Sequence, residues 1–178
     1  MDYSIITELD LSNQKLNELP DLSKYINLKE LDCYGNCIAR LDNLPPGLLE
    51  LHCCRNTLVA LDNLQPALIY LNCGYNTITS LDYLPPTLIY LYCPTNQIAR
   101  LDNLPPGLQK LCCSNNLVAL DNLPPGLLIL DCSRNTLVAL DNLPPGLQRL
   151  NCAGNNITTL DNLQPGLLEL NWGNNRLI

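Results

Sequence analysis

Leucine and other apolar residues recur along this chain of 178 residues at a fixed spacing. The tetrapeptide Leu-Asp-Asn-Leu, or a close variant, begins at residues 41, 61, 81, 101, 120, 140 and 160. The steps between these starts are 20, 20, 20, 19, 20 and 20 residues. Because self-similarity at a period of this size is typical of stacked repeats, the pattern predicts a solenoid of short units.

Each unit carries the pattern L-x-x-L-x-C-x-x-N-x-L. Leu51 and Cys53 illustrate it: they are two residues apart, which is the spacing of side chains on one face of a strand. Nine such segments begin at residues 6, 28, 48, 68, 88, 108, 127, 147 and 167. Because one unit cannot bury its own leucines, we expect the units to be stable only as a stack.

The segment that returns from one strand to the next reads DNLPPGL in most units. Pro45 and Pro46 lack amide hydrogens, which disfavours an ordinary helix. We therefore predict extended, polyproline-like or 3-10 returns on the convex side of the solenoid, with little α-helix. The one step of 19 residues predicts a small irregularity between Asn116 and Leu117.

An asparagine follows each predicted strand, where its amide can bond backbone groups that the turn leaves exposed. The column comprises Asn36, Asn56, Asn76, Asn96, Asn116, Asn135, Asn155 and Asn175. Gln14 takes this place in the first unit, which we interpret as a cap. We expect one domain over 1–178, with an atypical capping unit over 1–27 and regular repeats over 28–178. In the last unit, Trp172 replaces the strand cysteine and is expected to close the core.

The run LPPGLQKLCCSNNL at 104–117 resembles the short leucine-rich repeats of bacterial type III effectors. The units are also similar to leucine-rich-repeat proteins of giant viruses. The resemblance covers nearly the whole chain. It implies an α/β-class leucine-rich-repeat solenoid with a curved parallel β-sheet on its concave face, and a function as a platform for protein partners. Some such effectors carry a ubiquitin-ligase domain after the repeats, and we do not expect that activity here.

The formal charge of −7 and the pI near 4.4 argue against general binding to nucleic acid or to an anionic membrane. No apolar stretch approaches the roughly 20 residues of a membrane helix. The N-terminus lacks a basic segment followed by an apolar run, so we expect no signal peptide. The expected location is intracellular, in a reducing compartment, and is the host cytoplasm if the chain is an effector or a viral protein.

Seven of the ten cysteines fall in one inward-facing column: Cys33, Cys53, Cys73, Cys93, Cys113, Cys132 and Cys152. We interpret them as small buried apolar side chains. A disulfide needs a specific geometry that a regular stack of strands does not readily give, and this also favours a reducing compartment. Cys54 and Cys112 are expected on the exposed face of the strands, where they would be open to oxidation.

Seven aspartates form a second column: Asp42, Asp62, Asp82, Asp102, Asp121, Asp141 and Asp161. Rows of carboxylates can bind calcium. However, Asp before Asn-Leu-Pro is also a common turn-capping arrangement, and we favour that reading. The column equals the whole net charge, because the other ten acidic residues balance ten Lys and Arg.

His52 is the only histidine, and Cys54 follows it on the same strand face. These two residues could form a Cys–His nucleophile pair, or a metal site with Asp32. The alternative, which we favour, is a surface histidine beside a surface cysteine on a sheet without a pocket. We therefore expect no enzyme activity, no cofactor and no metal.

The residues that flank the central leucine of each strand should line the concave face. They are acidic in the first three units, rich in tyrosine in the fourth and fifth, and partly basic beyond. Exposed tyrosines flanked by opposite charges are typical of a contact hot spot, although tyrosine also suits exposed strands in general. The predicted partner-binding residues are Tyr34, His52, Tyr70, Tyr75, Tyr90, Tyr92, Lys110, Arg134 and Arg149. The alternative is a structural protein that self-assembles into a homo-oligomer through its C-terminal edge.

Overall fold

The computed structural model describes residues 2–114 and 117–178. In this part of the chain nine three-residue strands form one sheet, in which each strand pairs in parallel with the next along the chain. The strands are β1 (Glu8–Asp10), β2 (Glu30–Asp32), β3 (Glu50–His52), β4 (Tyr70–Asn72), β5 (Tyr90–Tyr92), β6 (Lys110–Cys112), β7 (Ile129–Asp131), β8 (Arg149–Asn151) and β9 (Glu169–Asn171). The predicted parallel-sheet solenoid is confirmed.

The central leucine of each strand faces the core and its two neighbours face away. Leu51 of β3 is fully buried and stands in register between Leu31 and Leu71. The same register continues across the shorter unit, where Leu111 pairs with Leu130. Asn116, on one side of the predicted irregularity, lies outside the described residues. Leu117, on the other side, is buried.

The column of seven cysteines lies in the core beside these leucines. Each column cysteine is at most 4% exposed. Burial raises the pKa of the thiols, to about 12 for Cys33 and Cys73. The predicted role of these residues as small apolar side chains agrees with this burial, and all ten cysteines are free thiols in the structure.

The returns are chains of turns. The carbonyl of Pro45 accepts a hydrogen bond from the amide of Leu48 at 3.2 Å, and the equivalent bond recurs in the following returns. The second proline, Pro46, therefore occupies a turn position in which its missing amide hydrogen costs nothing. The one helical segment of the described residues is a 3-10 turn over Tyr3–Ile5. No helix in this part of the chain has the length and apolar character needed to cross a membrane.

The asparagine column bonds neighbouring units to each other, as predicted. Asn56 accepts from the amide of Ile38 at 2.9 Å and donates to the carbonyl of Cys33 at 2.9 Å, both in the preceding unit. It also donates to the carbonyl of Cys53 in its own unit at 3.2 Å. In the turns that the structure describes, an asparagine side chain thus satisfies buried backbone groups.

The aspartate column also joins units, which differs from the expected capping of each residue's own turn. Asp42 accepts from the side-chain amide of Asn63 in the next unit at 3.3 Å, and Asp82 accepts from Asn103 at 3.0 Å. In six of the seven units the residue after the aspartate adopts a positive φ, 61° at Asn43 for example. Asp102 and Asp141 accept the equivalent bonds, at 3.2 Å and 3.0 Å, so four of the seven carboxylates join neighbouring units.

The expectation that Trp172 closes the core is wrong. Its side chain is 45% exposed, because no unit of this chain packs over the outer side of β9. Leu167 and Leu170 of the same unit are only partly buried.

Candidate partner-binding face

The side chains on either side of each central leucine form what we call the exposed sheet face, which is the side that the sequence predicts to be concave. Register decides which of them become neighbours across the strands. Tyr70 stands opposite Tyr90, while Asn72 stands opposite Tyr92 and Tyr92 opposite Cys112. Strands of a sheet lie about 4.8 Å apart, so side chains in matched positions come into contact.

Four rings on this face form a continuous aromatic row. The ring centre of Tyr70 lies 4.9 Å from that of His52, 5.4 Å from that of Tyr92 and 6.4 Å from that of Tyr90. Tyr70 is therefore the centre of the row, and it is half-buried by its neighbours. Burial, followed by the proximity of Tyr92 and Glu50, raises its pKa.

Charged groups of opposite sign end the row. At one end, Nε2 of His52 lies 3.7 Å from a carboxylate oxygen of Glu30. At the other end, Nζ of Lys110 lies 4.9 Å from the ring centre of Tyr92, in a cation–π arrangement. The structure thus joins five of the nine predicted site residues: His52, Tyr70, Tyr90, Tyr92 and Lys110.

Tyr34 and Tyr75 belong to a second group, beyond the carboxyl ends of the strands. The guanidinium of Arg55 lies between them, 5.9 Å from the ring centre of Tyr34 and 5.1 Å from that of Tyr75. Arg55 was not among the predicted site residues. Its position just before the unit asparagine, which Tyr75 and Arg134 also hold in their units, is the sequence signal that could have found it.

The two remaining predicted residues lie apart from the aromatic row. Arg134 lines an open polar groove of about 450 Å³ together with Tyr75, Ser114 and Ser133. Arg149 forms an ion pair with Glu169 at 3.2 Å, so its charge is partly compensated within the chain. Both are peripheral to the aromatic row.

The surroundings of Asp32 and Cys54 disfavour the alternative Cys–His site. Oδ1 of Asp32 accepts the amide of Tyr34 at 2.8 Å, and the carboxylate that faces His52 is that of Glu30. Cys54 is half-buried, and this burial raises the pKa of its thiol, which disfavours the thiolate a nucleophile needs. Cys112 is also half-buried, with a pKa raised to about 11, whereas Cys37 is the exposed thiol.

Several solved structures share this architecture. InlJ of Listeria monocytogenes, a domain that includes a cysteine ladder, is 35% identical over 98% of this chain and 41% of its own, with a TM-score of 0.83. YopM of Yersinia pestis, a leucine-rich effector protein, is 34% identical over 98% of this chain and 50% of its own, with a TM-score of 0.86. YopM of Yersinia enterocolitica is 31% identical over 98% and 48%, with a TM-score of 0.61.

The chain is a leucine-rich-repeat protein. It spans about half the length, or less, of these three similar chains. Searches against protein-family models and against curated proteins found no match.

The cysteine column of this leucine-rich-repeat protein is a further point of similarity to InlJ. In the usual leucine-rich-repeat pattern L-x-x-L-x-L-x-x-N/C-x-L this column corresponds to the third leucine, so cysteine takes the place of a larger apolar side chain. Here the column runs from Cys33 to Cys152, and a cysteine ladder is likewise a feature of the InlJ domain. Solenoids of this kind offer an extended surface for binding.

Proposed function

We propose that this leucine-rich-repeat protein is a binding scaffold, without catalytic activity, that holds a protein partner on its exposed sheet face. The observation that carries the proposal is the aromatic row from His52 to Tyr92. Its rings are partly exposed and contact one another on rigid strands, so they lose little conformational entropy on binding. Tyrosines of this kind supply apolar area together with a hydroxyl that can bond a partner.

The charge pattern supports a polar rim around this centre. Acidic side chains dominate β1 to β3, and Lys110 stands on the other side of the tyrosines. A partner with a basic segment over β2 and β3 and an acidic group near β6 would be complementary. Tyr34, Tyr75, Arg134 and Arg149 would contact the outer parts of the same partner.

We further propose that the protein acts inside a cell, in a reducing compartment. If it is an effector, as YopM is, this compartment is the host cytoplasm. Ten free thiols, seven of them in the core, support this location. A net charge of −7 favours protein partners over nucleic acid or membranes.

The test compares three baits in a pull-down from host-cell lysate, followed by affinity measurement with the purified partner. The baits are wild type, a Tyr70→Ala, Tyr90→Ala, Tyr92→Ala triple variant, and Tyr83→Asn as a matched control. Tyr83 is 84% exposed and lies on a return, away from the sheet. We expect the triple variant to bind the purified partner at least about 100-fold more weakly, because hot-spot side chains each contribute about 2 kcal/mol or more.

Equal affinity of the triple variant and wild type for the purified partner would contradict the proposal. A loss shared by Tyr83→Asn would point to the returns instead of the sheet. Circular dichroism of each variant verifies that the solenoid is intact.

The second candidate function is self-association through the last unit. Leu168 is 76% exposed and Trp172 is 45% exposed, so β9 presents an apolar side to solvent. Light scattering of the full chain over a range of concentrations tests this candidate. A mass that rises with concentration in wild type and not in Leu168→Gln supports it, and a constant monomer in wild type contradicts it.

A further inference from the structure

Three metal-ligating side chains come together at the acidic end of the aromatic row. Glu30, Glu50 and His52 each direct one donor atom into a common space, and these atoms all lie within 4.8 Å of one another. We infer that they form a binding site for a divalent transition-metal ion, for which Zn²⁺ is the reference. This departs from the sequence-based expectation of no metal, and it does not depend on the proposed partner.

The register of two adjacent strands creates the site. Glu30 of β2 stands directly opposite Glu50 of β3, and His52 follows on the same face two residues after Glu50. Nε2 of His52 already lies 3.7 Å from an oxygen of Glu30. A tetrahedral Zn²⁺ with bonds of about 2.0–2.1 Å separates its ligand atoms by about 3.3 Å. The donors therefore need to close by up to about 1.5 Å, which side-chain rotation can provide.

The negative charges of Glu30 and Glu50, which stand opposite each other, favour a bound cation. Like charges placed opposite each other on neighbouring strands are destabilising. Two basic side chains of the same units have other partners: Nζ of Lys29 donates to the carbonyl of Gly47 at 3.3 Å, and Arg55 lies over Tyr34 and Tyr75. Among the described residues, neither glutamate forms an ion pair with a lysine or an arginine, and the contact of Glu30 is with His52.

The surroundings of the histidine favour a fixed ligand geometry. The ring of Tyr70 packs against the imidazole at 4.9 Å between centres, which restricts its rotation. One imidazole nitrogen with two carboxylates suits Zn²⁺ and its neighbours in the first transition row, whereas Ca²⁺ prefers six to eight oxygens. The remaining position faces solvent on the exposed sheet face, so a water molecule can complete the tetrahedron.

Isothermal titration of the full chain with Zn²⁺, under a reductant that lacks thiols, tests the site. We expect one ion per chain and at least a tenfold loss of affinity in His52→Asn and in Glu50→Gln. Asn occupies the position of His52 in three other strands, at Asn72, Asn151 and Asn171, so the first variant should fold. Glu169→Gln, which removes a glutamate of the same column in β9, is the control and should bind Zn²⁺ as wild type does.

Binding of Zn²⁺ to nearby thiols is the competing explanation for a positive titration. Cys54→Ser should leave Zn²⁺ binding unchanged, and Co²⁺ bound to the wild type should show ligand-field absorption without a thiolate charge-transfer band. A charge-transfer band that disappears in Cys54→Ser would overturn the inference. Equal affinity of His52→Asn and wild type would overturn it too, as would the absence of binding at millimolar Zn²⁺.

Discussion

Tyr83 occupies a backbone conformation that other units fill with asparagine. Its φ is 65°, close to the values of 58–64° at Asn43, Asn63, Asn103, Asn122 and Asn142. Asparagine tolerates the left-handed region better than tyrosine does. An asparagine here could also donate to Asp62, as Asn63 does to Asp42.

We therefore expect Tyr83→Asn to raise the free energy of unfolding by about 0.5–1 kcal/mol. Little burial is lost, since the tyrosine is 84% exposed. Urea unfolding of the two proteins measures the difference. A destabilised variant would mean that the ring makes contacts worth more than the strain it imposes.

The buried thiols predict a loss of stability in alkali. Burial, and then the neighbouring Cys54, raises the pKa of Cys73 from an ordinary value of 9.0 to about 12. Between these two values the unfolded chain releases this proton and the folded chain retains it, so the free energy of unfolding falls as pH rises. The contribution of this buried thiol to the free energy of unfolding is complete below pH 9 and is lost progressively towards pH 12.

Each fully buried thiol should lower the free energy of unfolding by about 1 kcal/mol between pH 7 and pH 10. Urea midpoints of wild type and Cys73→Ala between pH 7 and 10.5, in a reducing buffer, check the prediction. The variant should be less stable at pH 7 and should lose stability more slowly with pH. If the urea midpoints of the two proteins fall equally with pH, Cys73 does not contribute to the loss of stability in alkali.

At the scale of the single unit, the asparagine after the strand holds the turn to the unit before it. Asn56→Ala leaves the buried amide of Ile38 and the carbonyl of Cys33 without this partner. The carbonyl of Cys33 keeps the hydrogen bond from Asn36 at 3.0 Å, so the amide of Ile38 is the group left unsatisfied. We expect the variant to lower the free energy of unfolding by about 1–3 kcal/mol, because an unsatisfied buried group bears its full desolvation cost.

Asn175→Ala is the matched control at the end of the stack. Asn175 makes equivalent bonds, to the amide of Ile157 and the carbonyl of Cys152, but it is half-buried and water can replace it. The expected loss is about 1 kcal/mol. Equal losses at the two positions would contradict an explanation based on burial.

Across the whole molecule, each strand contacts only its two neighbours in the chain. Stability in such a stack is close to a sum of nearest-neighbour terms, so the terminal units should open first. Leu9 and Leu170, in the outermost strands, are only partly buried, whereas Leu71 and Leu91 are fully buried.

Native-state hydrogen exchange should therefore show the strongest amide protection in β3 to β6 and the weakest in β1 and β9. Uniform protection along the stack would indicate a single cooperative unit instead.

The repeat pattern was sufficient to predict the strands, because a spacing of two within a period of 20 leaves few ways to bury the leucines. It identified the asparagine and cysteine columns for the same reason. The partner of the Asp42 carboxylate was not predictable, since it depends on how one return lies over the next. The exposure of Trp172 was missed because residue type does not reveal whether a neighbouring unit covers it.

The unit, its period and its inward-facing residues could be read from the amino-acid sequence, since these follow from local spacing and from the need to bury apolar side chains. Which exposed side chains meet depends on the folded sheet. Residues 18 to 22 apart come within contact distance through strand register, and this brings Glu30 to His52 and sets Tyr70 at the centre of the aromatic row. Contacts of that kind depend on side-chain direction across several strands, which a linear pattern does not specify.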